Sequence, residues 1–464
     1  MNKVFLSGIG GIGMANVAVL LKQAGFEVSG SDGSIYEPAA TVLRNAGITP
    51  RTPYSADNIP LDGSPVIIGN AQSRGHAEVE AALDAGALLY SFPDFLNRFV
   101  LAGRHSVVVA GTHGKSTTTA CLSHVLHAVG VDPGFLIGAL PLNFPLGAAL
   151  GKKNAPFVLE GDEYDSAFFD KRSKFLHYFP RTLLLGTVEF DHADIFASQE
   201  EMLLSFRRLI NLLPRTGRLI YHHDCETTRE LVAKAPCETV SVGVGEGAGW
   251  RLLENAAGLH YATPSGEVRS CSFDLPGRHN RLNALMSLAA ASNLHPSLPD
   301  IEAALGTFRG IRRRFEKLFE RADLTIYDDF AHHPTAIAAS IQAVREKHPG
   351  HRLIAVFEPR SNTMVRNIFQ AEIPAAFAAA DHAIFGTIHR IERIPVDQRL
   401  DLAAVRRDLT ARGIPSAQMA NSDIPSYIFS LLNGTPTVIL FMSNGSFDGA
   451  PAALVQMFDG KDRS

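Results

Sequence analysis

Residues 106–117 read SVVVAGTHGKST, and this stretch decides the fold. Residues 106–110 form an uncharged, valine-rich run of strand length, and the glycines at 111 and 114 break it before a helical pattern begins. Strand, glycine-rich turn and helix, in that order, make the phosphate-binding unit of open α/β sheets. The loop is a shortened one, because GxxxxGK[ST] would need glycine where Val109 stands. Its working parts are all present. The backbone N–H groups of Gly111, Thr112, His113 and Gly114 suit phosphate oxygens. Lys115 suits the β- and γ-phosphates of ATP, Ser116 suits Mg2+, and Thr117 continues the helix start.

Outward from that loop, short apolar runs alternate with longer helical patterns. Examples are residues 3–7, 66–69, 182–185, 352–357 and 437–441. The alternation predicts an α/β chain of parallel sheets flanked by helices. At 464 residues it is too long for one core and points to about three domains. The divisions fall at 1–103, 104–310 and 311–464; the first and third read as Rossmann-like and the central one as the P-loop part. Charged residues make up 19% and the net charge is −4, so no global basic field invites nucleic acid. No run of about 18 apolar residues predicts membrane insertion. The opening MNKVFLSGIGGIGM carries no basic, cleavable leader, and the four dispersed cysteines form no CxxC. A cytoplasmic location and no structural zinc are expected.

Further motifs line up along the chain. Gly8, Gly10, Gly11 and Gly13 fit GxGxxG between a strand and the apolar helix at 14–24, and Asp32 follows the next strand. Glycine there lets a nucleotide diphosphate approach a helix amino terminus, and the motif alone does not say which nucleotide. Glu160-Gly161-Asp162-Glu163-Tyr164-Asp165 follows the apolar strand 157–159, where hard oxygen ligands near a P-loop suit Mg2+. Phe190-Asp191-His192 ends the strand 182–188. Asn280 and Asn283 share one face of a starting helix, where they read a nucleotide or cap the helix. Arg312-Arg313-Arg314 precedes a strand at 324–327 that leads into Asp328-Asp329-Phe330-Ala331-His332-His333, which resembles a clamp for phosphate charge.

Taken in order, GTHGKST, EGDEYD, EFDHADIF, GRHNRLNA, RRRFE and DDFAHHP resemble the motifs of the Mur ligase family, ATP-dependent enzymes that build the peptide of peptidoglycan. The likeness covers nearly the whole chain and implies a three-domain Mur architecture with hinge motion between parts. Within the family, EGDEYDSAFFDKRSKFLHY at 160–178, EFDHADIF at 189–196 and FEPRSNTM at 357–364 resemble one branch in particular. That branch joins UDP-N-acetylmuramate to the tripeptide L-alanyl-γ-D-glutamyl-meso-diaminopimelate. The nearest alternative is the branch that adds L-alanine, which GIGGIGM resembles more.

The resemblance assigns roles to individual residues. Lys115 holds the β/γ-phosphates, Ser116 and Glu160 hold one Mg2+, and His192 helps to ligate a second. Asn280 and Asn283 lie near ATP, and Arg313 or Arg314, with Asp329, contacts the nucleotide from the third domain. The first-domain glycines and Asp32 then hold a UDP diphosphate rather than NAD. Independently of the resemblance, the strand 352–357 delivers Glu358, Arg360 and Asn362 to its carboxyl end, where Arg360 suits the far carboxylate of diaminopimelate and Glu358 or Asn362 its amine; the alternative is a structural Glu–Arg pair that stabilises the turn. Three departures stand out: Ser116 and Gly161 replace the usual threonine and alanine, and Gly186-Thr187 stands where an asparagine pair is more usual. Some siblings carry a carbamylated lysine where this chain has Phe206, so that modification is not expected. A dinucleotide oxidoreductase leaves the P-loop and the third part unexplained. A non-catalytic UDP-sugar or peptide sensor has no need of the full set Lys115, Glu160, His192 and Asp329.

Overall fold

The structure, a computed structural model, describes residues 2–189, 196, 198–253 and 258–459. Contacts divide the chain into two compact units. One is built from Met1–Phe190, Ile195–Asp274 and Leu282–Ile311, the other chiefly from Leu275–Arg281 and Arg312–Ser464.

Among the described residues the first unit holds two large sheets and a two-stranded antiparallel ribbon of Asp165–Ala167 and Asp170–Ser173. Lys3–Ser7 lies between Glu27–Ser31 and Val66–Ile68, with Leu89–Tyr90 beyond, all parallel. Parallel neighbours need a crossover, and the helix Ile12–Gln23 supplies the first. It starts two residues before the 14–24 expected from its apolar pattern, because Gly11 already serves as N-cap. Since Lys3–Ser7 has partners on both sides, its carboxyl end opens where the strand order reverses, the usual ligand crevice of such sheets.

The second sheet of this unit has ten strands among the described residues. Its centre is Ser106–Ala110, buried throughout, between Thr182–Leu185 and Phe157–Gly161. The acidic strand is two residues longer than 157–159, because Val109 pairs with Glu160 and Ala110 with Gly161. Ladder pairing thus draws Glu160 into the sheet beside the P-loop strand. The strand expected at 182–188 ends at Leu185, where Gly186 turns to support the loop. Antiparallel strands Leu259–Ala262 and Val268–Cys271 extend one edge, a departure from the all-parallel reading.

The second unit holds a six-stranded sheet ordered Glu316–Arg321, Leu324–Asp329, Thr437–Met442, Arg352–Phe357, His382–Phe385 and Ser416–Gln418. Its first strand is antiparallel and precedes the one expected to open this part. Alternate residues feed two cores, with Leu353, Ala355 and Phe357 on one face and Ile354 and Val356 on the other. All four cysteines are free thiols. Among the described residues no helix is long and apolar enough to cross a membrane.

Candidate active site

The P-loop is held from below by its neighbouring strand end. Thr112 N–H donates to the Thr187 carbonyl at 2.7 Å, and Gly186 N–H donates to the Ala110 carbonyl at 2.9 Å. The Thr112 hydroxyl donates to the Glu189 carbonyl and accepts from the Glu189 N–H, both at 2.9 Å. His113 Nε2 lies 3.2 Å from the Glu189 carboxylate. The unusual Gly186-Thr187 pair therefore serves through its backbone. Gly114 takes a left-handed φ of 78°, and a side chain there would come within 2.5 Å of Asn283 Oδ1. Asn283 thus borders the loop, whereas the Asn280 amide donates to the Pro276 carbonyl at 2.7 Å and holds the start of its own helix.

Lys115 points back over the loop. Its ammonium donates to the Gly111 carbonyl at 2.8 Å and to Glu163 at 2.9 and 3.1 Å. Burial opposes its charge, but the carboxylates of Glu163, Asp162 and Glu160 outweigh that and hold its pKa above the ordinary value. Glu160 accepts from the Gly138 N–H at 2.8 Å and from the Ser116 hydroxyl. Burial and the neighbouring Asp162 push its carboxyl up to about 7, against the pull of those donors and of Lys115. Asp162 pairs with Lys174 at 3.2 Å. A hydroxyl and a carboxylate side by side, in a pocket crowded with negative charge, fit a hard divalent cation such as Mg2+. His192, the expected ligand of a second ion, lies outside the described residues.

At the carboxyl end of Lys3–Ser7, Gly8 has φ 88° and its α-carbon faces the Gln72 side chain. Gly10 N–H donates to Asp32 Oδ2 at 2.7 Å, so Asp32 closes the turn from one side. Gly11 and Gly13 face open space at the helix start, where N–H groups and the helix dipole favour an anion.

The second-unit residues divide by what they touch. Arg313 has φ 57° and pairs with Asp328 at 3.1 Å. It also donates to the carbonyls of Ser443, at 2.8 Å, and Gly445. Arg314 stacks over Phe330 at 4.7 Å. Asp329 accepts from the Phe315 N–H at 2.7 Å, the Ala331 N–H at 2.8 Å and the Ser340 hydroxyl at 3.1 Å. Those bonds pin the segment that leads to the paired histidines. Glu358 is 1% exposed and accepts from Asn421, the Ser443 hydroxyl and the Phe447 N–H. It is the organiser of its loop, and Arg360, 3.3 Å away with its side chain 29% exposed, and the exposed Asn362 are what the loop presents.

Two residues with strong local roles escaped the sequence reading. Glu163, read only as one of several carboxylates, is the counter-ion of the P-loop lysine. Glu78, fully buried, accepts from the Ser7 and Ser31 hydroxyls at 2.5 and 2.6 Å and ties together the strand ends that carry the glycine turn and Asp32. Nothing but tertiary pairing marks either one.

Known proteins share this arrangement. Residues 5–104 match the Mur ligase family catalytic domain, 109–291 the Mur ligase middle domain and 313–414 the Mur ligase glutamate ligase domain. The UDP-N-acetylmuramate–L-alanyl-gamma-D-glutamyl-meso-2,6-diaminoheptandioate ligase of Escherichia coli (strain K12) is 42% identical over 383 residues, 82% of this chain and 83% of that one. The protein of the same name from Haemophilus influenzae is 37% identical over 456 residues, 97% of each chain. The crystal structure of a murein peptide ligase from Psychrobacter arcticus 273-4 is similar at a TM-score of 0.73 and 34% identity, covering 98% of each chain. With its P-loop, acidic strand and glycine turn arranged in this order, the chain belongs to the Mur ligase family of ATP-dependent enzymes that form carbon–nitrogen bonds.

Proposed function

We propose that this enzyme joins the muramate carboxylate of UDP-N-acetylmuramate to the amino group of L-alanyl-γ-D-glutamyl-meso-diaminopimelate, in the cytoplasm, at the expense of ATP. The observation that carries the chemistry is the meeting of Lys115, Ser116 and Glu160 at the carboxyl ends of adjacent strands, with Val109 registered opposite Glu160. The substrate pair rests on the relatives named above, which align along the length of the chain.

A carboxylate has no leaving group, so an amine cannot displace its oxygen directly. In the proposed sequence, a muramate carboxylate oxygen attacks the γ-phosphorus of ATP and ADP departs, leaving an acyl-phosphate. The tripeptide amine then attacks the acyl carbon, loses a proton and expels phosphate. Each step moves negative charge, so placement and cationic support carry most of the acceleration. Lys115 leaves Glu163 to neutralise the β- and γ-phosphates. Ser116 and Glu160 would hold Mg2+, which supplies positive charge to the phosphate oxygens when bound. Gly11 and Gly13 receive the UDP diphosphate, and Arg360 with Asn362 receive the far end of the tripeptide. The domain divisions 1–103, 104–310 and 311–464 belong to the same reading.

The test is ADP release with UDP-N-acetylmuramate and L-alanine, L-alanyl-γ-D-glutamate or the tripeptide in turn. Strong release with the tripeptide and little with L-alanine supports the proposal. The reverse order assigns the L-alanine-adding reaction, and no release with any acceptor leaves a sensor.

A further inference from the structure

Asn16 lies on the helix Ile12–Gln23, whose amino terminus carries the glycine turn, and it is completely buried. Its amide Nδ2 donates to the carbonyl of Ile137 at 3.0 Å, across 121 positions of sequence. The next atom pair along the chain is the N–H of Gly138, which donates to Glu160 Oε1 at 2.8 Å. Carbonyl 137 and N–H 138 belong to one peptide group. That group is planar, and in its trans form the C=O and N–H point in opposite directions. A hydrogen bond that fixes the carbonyl therefore also fixes the direction in which the N–H is aimed. Asn16 on one side and Glu160 on the other hold the same plate by its two edges.

Packing does not account for an asparagine at this position. Its Oδ1 is buried with no partner, an unsatisfied polar group that an apolar side chain would avoid. The reverse amide orientation is worse, because Oδ1 would then face the Ile137 carbonyl. Gly147 makes room for the contact: a methyl there would collide with Asn16 Nδ2. Its carbonyl also accepts from the Ile137 N–H at 2.7 Å, so the segment is gripped from both sides.

We propose that Asn16 is a positioning residue for the metal-ligating carboxylate, acting through the Ile137–Gly138 peptide plane, so that the helix which takes the UDP diphosphate also orients Glu160. The proposal rests on the reading of Glu160 as a metal ligand. Residues one step removed from a metal typically change its affinity by about 10–100-fold when lost. Truncating Asn16 frees the plate to rotate, and Glu160 loses a fixed donor while keeping its charge.

The experiment titrates Mn2+ into the full-length enzyme with ADP present, read by electron paramagnetic resonance, for the parent, Asn16→Ala, Glu160→Gln and the double variant. UDP-N-acetylmuramate affinity and melting temperature are measured on each. The expected result is Mn2+ affinity weakened about tenfold in Asn16→Ala, with UDP-N-acetylmuramate affinity unchanged and no further loss when Asn16→Ala is added to Glu160→Gln. If Glu160→Gln itself binds Mn2+ like the parent, the metal assignment falls and this proposal with it. If Glu160→Gln weakens binding but Asn16→Ala does not, only the role of Asn16 is overturned. A further loss in the double variant, or a large drop in the melting temperature of Asn16→Ala, gives Asn16 a separate or purely structural role and overturns it as well.

Discussion

The Lys115 ammonium stands 2.9 and 3.1 Å from the two carboxylate oxygens of Glu163, a side chain with 2% exposure. Together with the Gly111 carbonyl, Glu163 satisfies the lysine before any nucleotide arrives. Lys115→Ala removes the charge that neutralises the β/γ-phosphates and is expected to abolish ADP release. UDP-N-acetylmuramate binding, measured by calorimetry, should survive, because the site proposed for its diphosphate is the glycine turn of another sheet. Retention of most activity would place the phosphates elsewhere.

Glu163→Gln tests the other partner. Removing one member of a buried pair leaves an uncompensated charge and typically costs about 3–5 kcal/mol. The variant is expected to melt earlier and, because Lys115 no longer has to leave Glu163 for the phosphates, to show a lowered KM for ATP with a smaller change in KM for UDP-N-acetylmuramate. Reading the sequence alone, one ranks Glu163 below Glu160 as a bystander carboxylate; the ion pair gives it a distinct effect on nucleotide affinity.

Glu160→Gln keeps shape and hydrogen-bonding capacity but removes a hard anionic oxygen from beside Ser116. The Mg2+ concentration for half-maximal activity is expected to rise and kcat to fall, measured by ADP release across a Mg2+ titration. Asp162→Asn should shift the Mg2+ requirement less, since Asp162 is already paired with Lys174 at 3.2 Å. The opposite ranking would move the metal to Asp162.

What was legible in the sequence follows a physical divide. The strand Ser106–Ala110, the turn after it and the acidic strand beside it could be read because they depend on local composition and on glycine. Edge strands such as Glu316–Arg321 and Val268–Cys271 were not, because partly exposed antiparallel strands owe their pairing to a neighbour and not to an apolar run. Among candidate site residues, Ser116 and Glu160 are legible because metal chemistry names the residue types that suit it. Glu163, Glu78 and Asn16 are ordinary polar residues whose importance lies in their partners at 48, 71 and 121 positions' distance. At Glu358 the sequence leaves a ligand role and a structural Glu–Arg pair both open, and its inward-turned carboxylate matches the structural alternative.

Asp328 makes stability depend on pH. Burial raises its carboxyl from 3.8 to about 6, opposed by the Arg313 guanidinium. A raised value means that the folded form holds the proton more tightly than the unfolded chain. Its favourable contribution is therefore complete below pH 3.8 and is lost as pH climbs through about 6. Asp328→Asn removes this titration. Urea unfolding at pH 4 and pH 7 is expected to show the variant gaining on the parent toward neutral pH by on the order of 2 kcal/mol. Equal shifts at both pH values would mean that the carboxyl titrates at its ordinary value.

In the proposed function, substrate choice rests on the loop after Arg352–Phe357. Meso-diaminopimelate ends in a carboxylate beside a free amine, and L-lysine lacks that carboxylate. Arg360 carries a planar fork suited to a carboxylate, and its side chain is 29% exposed while that of Glu358 behind it is 2% exposed. The guanidinium is thus backed by a fixed anion 3.3 Å away and presented outward. Arg360→Lys keeps the charge and loses the fork, so KM for the tripeptide is expected to rise about tenfold, the loss of roughly one charge-assisted hydrogen bond. KM for ATP and for UDP-N-acetylmuramate should stay close to the parent values. A tripeptide ending in L-lysine should be a poor substrate for the parent and be less disfavoured by the variant. Glu358→Gln separates the two roles: it should lower the melting temperature, because Asn421, Ser443 and Phe447 all donate to that carboxylate. If Arg360→Lys instead lowered stability and raised all three KM values together, Arg360 would be part of the same scaffold. The diaminopimelate reader would then have to be sought elsewhere in the second unit.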